Sequence, residues 1–276
     1  MEDPTEEEED QFSKLPDPVI IDILSLLSTF EAVQMSILSK RLRRMWYSLP
    51  VLCFHDCSDG GFFDLRKFNK FVQTCLEKTR KNDLLNVTDT PLTKIEFVLR
   101  QPQKKSVTDD LYYVRLWRLQ SVSLPSLASL NLERVKLNDE ALHKLVLGSP
   151  CLKELILDDC EGISRPIISS LSLKLLEAHS EYDEVTFHVG AANLESFLGT
   201  GVAAYFEFGL SSYGTLRELS LIRSRFADWW LEELFLKLPL LERGGPHLSR
   251  RIAKGLQLSP AHSQASRGED KYAIIR

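Results

Sequence analysis

Hydrophobic spacing divides the chain into two organised blocks. From Val19 to Leu27, seven of nine residues are apolar, more than the single stripe a surface helix needs. Asp17-Pro18 ahead of that run suits a helix start, with Asp17 as N-cap and Pro18 at the first helical position, where its missing N–H costs nothing. Ser28-Thr29-Phe30-Glu31 has capping-box spacing and predicts a second helix, Glu31 to Leu38, presenting Val33, Ile37 and Leu38. Ser39 stands ready to cap a third helix, Lys40 to Trp46, and Pro50 closes the block. Three short helices predict a small all-α module. A helix apolar on several sides must be covered on several sides, and a unit this small is marginal alone. The module therefore offers its surplus either to a partner or to the domain that follows, and the residues leave both open.

The second block has a different period. Leu127-x-x-Leu130-x-Leu132 recurs at Leu152, Leu155 and Leu157, at Leu173, Leu176 and Ala178, at Leu194, Phe197 and Gly199, and at Leu216, Leu219 and Leu221. The offsets of 25, 21, 21 and 22 residues lie in the leucine-rich-repeat range. Leu92, Ile95 and Phe97 mark an earlier copy and Leu241 a decayed one. Pro125, Pro150 and Pro239 each stand two residues before an opening leucine, where proline ends one element and lets an extended one begin. Between copies, Asp139–Leu147 followed by Gly148, and Trp229–Leu238, read as helices. The prediction is a strand plus a helix per repeat, stacked into an α/β solenoid: a short arc with a parallel concave sheet. Cys160 falls where such repeats bond the turn backbone, whereas Val135 breaks that pattern. The alternative is a chance run of amphipathic elements in a leucine-rich chain, and five in-phase copies weigh against it.

Composition sharpens this picture. Leucine fills 47 of 276 positions, a bias expected of one side chain in repeated structural use. The net charge of −5 supplies no global basic field for nucleic acid. No run of about 18 apolar residues exists to span a bilayer. Residues 1–10 hold seven acids and no base, the opposite of a secretory signal, and read as a solvated lead. Residues 244–276 are basic, rich in Gly, Ser and Pro, and read as unstructured. Five cysteines, odd in number and never spaced CxxC, suggest free thiols and an intracellular setting, nucleus or cytoplasm. The reading divides the chain into an acidic lead (1–10), a helical module (11–54), a linking helical segment (55–91), repeats (92–243) and a basic tail (244–276).

Catalytic signatures are missing. No GxSxG, HExxH, GxGxxG or GxxxxGK[ST] occurs. The six histidines are scattered, and His55-Asp56-Cys57 has no ordered partner pattern, so ordinary loop chemistry is the better reading. No cofactor or metal is expected. Lys40 to Arg44 reads as the charged outer face of a small helix rather than a phosphate site. On the repeat strands, the residues between the leucines are the candidates for target binding: Ser129, Asn131 and Glu133, then Glu154, Ile156 and Asp158, then Glu218, Ser220 and Ile222. Their acidic and polar mixture suits a basic or hydroxyl-bearing protein segment.

The stretches Leu15-Pro16-Asp17, Ile23–Leu27, Ala32-Val33, Ile37–Arg41 and Trp46–Pro50 resemble an F-box of the plant type. Pro125 to Cys160, with Leu132–Val135 and Asp158-Asp159-Cys160, is similar to plant F-box/leucine-rich-repeat proteins. The resemblance implies a non-enzymatic adaptor of a Skp–cullin–F-box ubiquitin ligase, docking on the Skp-type adaptor and through it on cullin, while the repeats recruit a target protein. It assigns the docking surface to Leu15, Pro16, Ile20, Ile23, Leu24, Leu27, Val33, Leu38, Lys40 and Trp46. Two positions depart from the family: Leu42 stands where tryptophan is usual, and Pro18 where an acid is common. Residues 244–276 match no part of that family. A repeat scaffold not coupled to a ligase, with helix one packed against residues 60–120, is the alternative, and an enzyme with an unrecognised pocket is the third.

Overall fold

The computed structural model describes residues 12–55, 65–84, 91–98, 114–115, 123–180, 185–202, 215–224 and 271–275. The acidic lead, the helix expected at Trp229–Leu238 and the copy at Leu241 lie outside the described residues.

After one 3-10 turn at Phe12–Lys14, the helical block runs through α1 (Asp17–Ser25), α2 (Thr29–Leu38) and α3 (Lys40–Tyr47). Both serine caps form. Ser28 Oγ accepts the Glu31 N–H at 3.3 Å while Glu31 Oε2 accepts the Ser28 N–H at 2.9 Å, and Ser39 Oγ accepts the Leu42 N–H at 3.0 Å. Asp17 departs from expectation: Pro16 is the N-cap, and Asp17 is the first helical residue without a side-chain cap bond. Its carboxylate instead accepts Arg41 Nε at 2.9 Å, and Arg41 Nη2 also donates to the Leu15 carbonyl at 2.6 Å. A charged partner outcompetes the local amides and ties the entry of α1 to α3.

From Pro50 the chain passes directly into a sheet. The strands β1 (Val51–His55), β2 (Lys94–Val98), β4 (Ser129–Glu133), β6 (Glu154–Asp158), β8 (Leu175–His179), β10 (Ser196–Thr200) and β11 (Glu218–Ser224) lie side by side in chain order. All pair in parallel and in register. Period-two alternation aims one row inward: Leu52, Ile95, Leu130, Leu155, Leu176, Phe197 and Leu219, none more than 3% exposed. The next inward row is Phe54, Phe97, Leu132, Leu157, Ala178 and Gly199. Each fully buried leucine contributes about 1.5–3 kcal/mol, so the row, not any single strand, holds the sheet together.

Each strand hands its hydrogen bonding to the next one residue past its end. The amides of Arg134, Asp159, Ser180 and Gly201 donate to Asp158, His179, Thr200 and Ile222 carbonyls at 2.8–2.9 Å. Arg134, Asp159 and Gly201 take positive φ there, 53°, 48° and 70°. Cys160 Sγ–H donates to the Leu132 carbonyl at 3.2 Å, the turn-bonding place expected of it, while Val135 is buried and belongs to β5 (Val135–Lys136).

The reverse side of the repeats corrects one expectation. Among the described repeat segments only Asp139–Leu147 forms a helix, α5, capped by Asn138 Oδ1 accepting the Ala141 N–H at 2.8 Å. The two following repeats return through short strands β7 (Ile167–Ser169) and β9 (His188–Gly190), which pair in parallel. Gly162, Pro166 and the β-branched Ile167-Ile168 oppose helix there and favour an extended return. On the same side β3 (Val114–Arg115) pairs with β5.

Two further elements extend the sheet system. Helix α4 (Leu65–Leu84) packs Phe68, Phe71, Val72, Cys75 and Leu76 inward at helical spacing. The tail is not uniformly irregular: β12 (Lys271–Ile275) pairs antiparallel with β11. Tyr-Ala-Ile-Ile is the β-prone stretch of that tail, and β11 would otherwise present an unpaired edge.

Candidate docking surfaces

In α1 the surplus of apolar residues resolves into two stripes. Ile20 and Leu24 are each 1% exposed, and Leu27 is half-buried against the same core. Val19, Ile23 and Leu26, at the same i, i+4, i+7 spacing, turn the other way: Val19 and Leu26 are exposed, Leu26 by 87%. In α2, Ile37 and Leu38 are each 71% exposed. Phe30, partly exposed, meets Phe71 of α4 edge-on at 5.9 Å.

Of the ten residues assigned to docking, Ile20, Leu24 and Trp46 are buried inside the block and have no surface to offer. A nine-residue run with seven apolar positions has no single inner face that periodicity can pick out. Pro16, Leu38 and Lys40 are exposed, and Leu15, Ile23, Leu27 and Val33 are half-buried. Val19, Leu26 and Ile37, outside that assignment, are also exposed. Arg41, likewise outside it, fixes the backbone at Leu15. Leu42 is buried beside Met45 and Trp46, so it serves the core.

The open face of the sheet carries the intervening residues. Glu154 and Glu177 are exposed, and Asn131, Glu133, Ile156, Asp158 and Glu218 are half-exposed. Ser220 is 7% exposed, which removes it from the target-binding set, because β12 runs alongside β11 and that strand is no longer an edge. At the β1 side, Glu96 is the hub: Lys94 Nζ lies 3.0 Å from Oε2, Asn131 Nδ2 donates to Oε1 at 3.4 Å and Cys53 Sγ–H donates to Oε2 at 3.7 Å. Burial raises the Glu96 pKa, yet the hydrogen bond and charge of Lys94 outweigh it and leave the carboxyl below its ordinary value. Burial, then the Glu96 charge, pushes the Cys53 thiol up to about 11.

Two concavities adjoin these surfaces. One, about 280 Å³, lies between α2, α3 and α4, lined by Val33, Ser36, Arg43, Trp46, Tyr47, Phe71, Thr74 and Cys75, and among the described residues the Trp46 indole N–H beside it has no hydrogen-bond partner. The other, about 320 Å³, sits at the C-terminal ends of β6, β8 and β10, lined by Arg134, Ile156, Leu157, Asp158, Asp159, Glu177, Ala178, His179 and Thr200. Among the described residues, no group of three His, Cys, Asp or Glu is placed to hold a metal ion, and no helix is long and apolar enough to cross a membrane. His143 Nδ1 lies 3.0 Å from the Ile167 carbonyl, joining α5 to β7. Cys53, Cys75, Cys151 and Cys160 are free thiols.

Comparison with known proteins matches these two regions separately. The F-box domain family matches residues 12–54, and the LRR repeats of FBD-associated F-box protein At5g56370 match residues 111–207. Among similar proteins of Arabidopsis thaliana, FBD-associated F-box protein At5g22730 is 32% identical over 54% of this chain and 39% of its own length. F-box/FBD/LRR-repeat protein At1g51370 is 31% identical over 56% of this chain and 42% of its own. F-box/FBD/LRR-repeat protein At5g53840 is 32% identical over 64% and 47%. The chain thus spans less than half the length of these relatives. No solved structure matches it.

Proposed function

We propose that this chain, which carries an F-box domain at its N-terminus followed by leucine-rich repeats of the plant FBD-associated type, is a non-enzymatic substrate adaptor of a Skp–cullin–F-box ubiquitin ligase. F-box domains generally bind Skp1-type adaptors, and F-box proteins typically serve such ligases. In this reading residues 11–54 dock on the adaptor, and the repeats, stacked as a solenoid arc within 92–243, hold a target protein on their open face. The site of action is the nucleus or cytoplasm, where such ligases work. The mechanism is proximity: holding a target near the transfer machinery raises its effective concentration without bond chemistry by this chain.

The observation that carries the reading is the outer apolar stripe. A block that buries Ile20, Leu24 and Trp46 but leaves Leu26, Ile37 and Leu38 largely exposed spends apolar surface on something outside itself. The docking surface we assign keeps Leu15, Pro16, Ile23, Leu27, Val33, Leu38 and Lys40 and adds Val19, Leu26 and Ile37. The rival scaffold reading requires helix one to be sealed by the chain's own later segments, and among the described residues Val19 and Leu26 are not.

The test is co-purification of the full chain with a Skp1-type adaptor. Leu26→Asp with Ile37→Asp should reduce recovery of the adaptor at least about tenfold while far-UV circular dichroism stays unchanged, because both positions are exposed. Undiminished recovery overturns the docking assignment.

A further inference from the structure

We infer that the open face of the repeat sheet, at the C-terminal ends of β6 and β8, receives an arginine or lysine side chain of the target polypeptide. The inference rests on the target-recruiting reading above and adds the chemistry of what is recruited.

Charge comes first. At the open-face positions of the paired strands from β2 to β11 stand Glu96, Glu133, Glu154, Asp158, Glu177 and Glu218, and one cation, Lys94. Such a face repels nucleic acid and anionic lipid and draws a basic segment.

Engagement separates these carboxylates. Glu96 is held by Lys94 at 3.0 Å, Glu133 by Arg134 at 3.2 Å, and Glu218 accepts the Ser196 hydroxyl at 3.3 Å. The carboxylates of Asp158 and Glu177, like that of Glu154 outside the cavity, make no hydrogen bond or ion pair among the described residues.

Shape places those two on one concavity. The register sets Glu177 opposite Ile156, and Asp158 two residues further opposite His179. All four line the cavity of about 320 Å³. Ile156 offers an apolar wall for the aliphatic stem of a long basic side chain, and the two carboxylates take its charged end. Arg134 and His179 are the other nitrogen-bearing groups of the lining; Arg134 Nη1 lies 3.2 Å from Glu133 Oε1, and Asp159 adds a third carboxylate. Three carboxylates against one guanidinium favour a basic side chain over a phosphate or a carboxylate.

The experiment uses the full chain, immobilised, with a degenerate decapeptide library as probe and sequencing of the retained peptides. Arg or Lys should be enriched about fivefold over Asp and Glu at one or two positions, falling as salt rises towards about 1 M. The pair Asp158→Asn with Glu177→Gln should abolish that enrichment, and Glu140→Gln, on α5 at the reverse side of the repeats, should keep it. If the pair fails to fold, Glu177→Gln alone carries the test, since its side chain is exposed. Absence of basic enrichment, or enrichment unchanged in the cavity variants, overturns the inference. Leu26→Asp with Ile37→Asp should lose the Skp1-type adaptor yet retain the basic preference, so failure of docking and failure of this pocket are separate results.

Discussion

The helical block and the repeat sheet use the same apolar residue types to opposite ends. In the sheet, every inward position from Leu52 to Leu219 is matched by a neighbour in register, and almost none of its side chain meets solvent. In the block, a comparable density of Leu and Ile is split between a core of Ile20 and Leu24 and an outer set led by Leu26, Ile37 and Leu38. The sheet's inward hydrophobic residues are accounted for by its own fold. Those of the block exceed what its fold consumes. The difference separates a face that its own fold consumes from one that it leaves open to solvent.

The junction lets the two regions act as a unit. Phe30 of α2 meets Phe71 of α4 at 5.9 Å, Phe71 meets Phe54 of β1 at 6.1 Å, and Phe54 stacks on Phe97 of β2 at 4.9 Å. The Pro50 carbonyl accepts the amides of Thr93 and Lys94 at 2.8 and 3.1 Å. An aromatic chain and a shared strand edge therefore connect the helical block to the repeat sheet without a free linker, as the proposed proximity mechanism requires.

The largest expected effect tests the contrast directly. Leu155→Ala removes a fully buried side chain flanked in register by Leu130 and Leu176 and should cost about 3 kcal/mol. Leu26→Ala should cost under about 0.5 kcal/mol, because that side chain is already in water. Urea denaturation of both variants reads the difference. Equal losses would mean that the outer stripe belongs to the fold and would break the comparison.

Much of this contrast was legible in the residues. The leucine copies foretold the sheet register, including the early copy at Leu92, and Ser28 and Ser39 foretold their caps, because a cap is a local hydrogen bond that needs only two residues. The inner face of α1 was not legible, since nearly every position there is apolar. Strand β1 was missed although Leu49, Leu52 and Phe54 repeat the leucine spacing, because the intervening α4 hides the phase. The extended returns at β7 and β9 were also missed, although Gly162 and Pro166 signalled them. The cavity carboxylates were named only in part: Asp158 lay within the expected set, and Glu177 lay in the copy whose third leucine is replaced by Ala178, from which no candidate was drawn.

A smaller effect probes how closely the repeats stack. Gly201 takes φ +70°, and a Cβ there would lie 1.9 Å from the Ser180 carbonyl oxygen. Gly201→Ala forces neighbouring backbones apart and should cost about 2–3 kcal/mol. The substitution lies far along the chain from α1, so adaptor recovery should be unaffected even as the melting temperature drops. Loss of both together would show that docking block and distal repeats unfold as one unit, which sharpens the comparison by placing their boundary elsewhere.

The smallest effect is electrostatic and concerns the edge where the two regions meet. The Glu96 carboxyl lies below its ordinary value of 4.5 when folded, so its contribution is complete above the unfolded value and is lost as pH falls through the folded one. Lys94 is raised above its ordinary value of 10.5, chiefly by its hydrogen bond to Glu96, so its contribution is complete below that value and is lost as pH rises through the folded one. Glu96→Gln should therefore flatten both the acid and the alkaline limbs of the stability profile. The two side chains are partly exposed, so the change near neutrality should stay below about 1 kcal/mol. Denaturation midpoints collected from acid to alkaline pH check it. Limbs that remain as steep in the variant as in the parent would show that the Lys94–Glu96 pair is a solvated contact that adds nothing measurable to the fold.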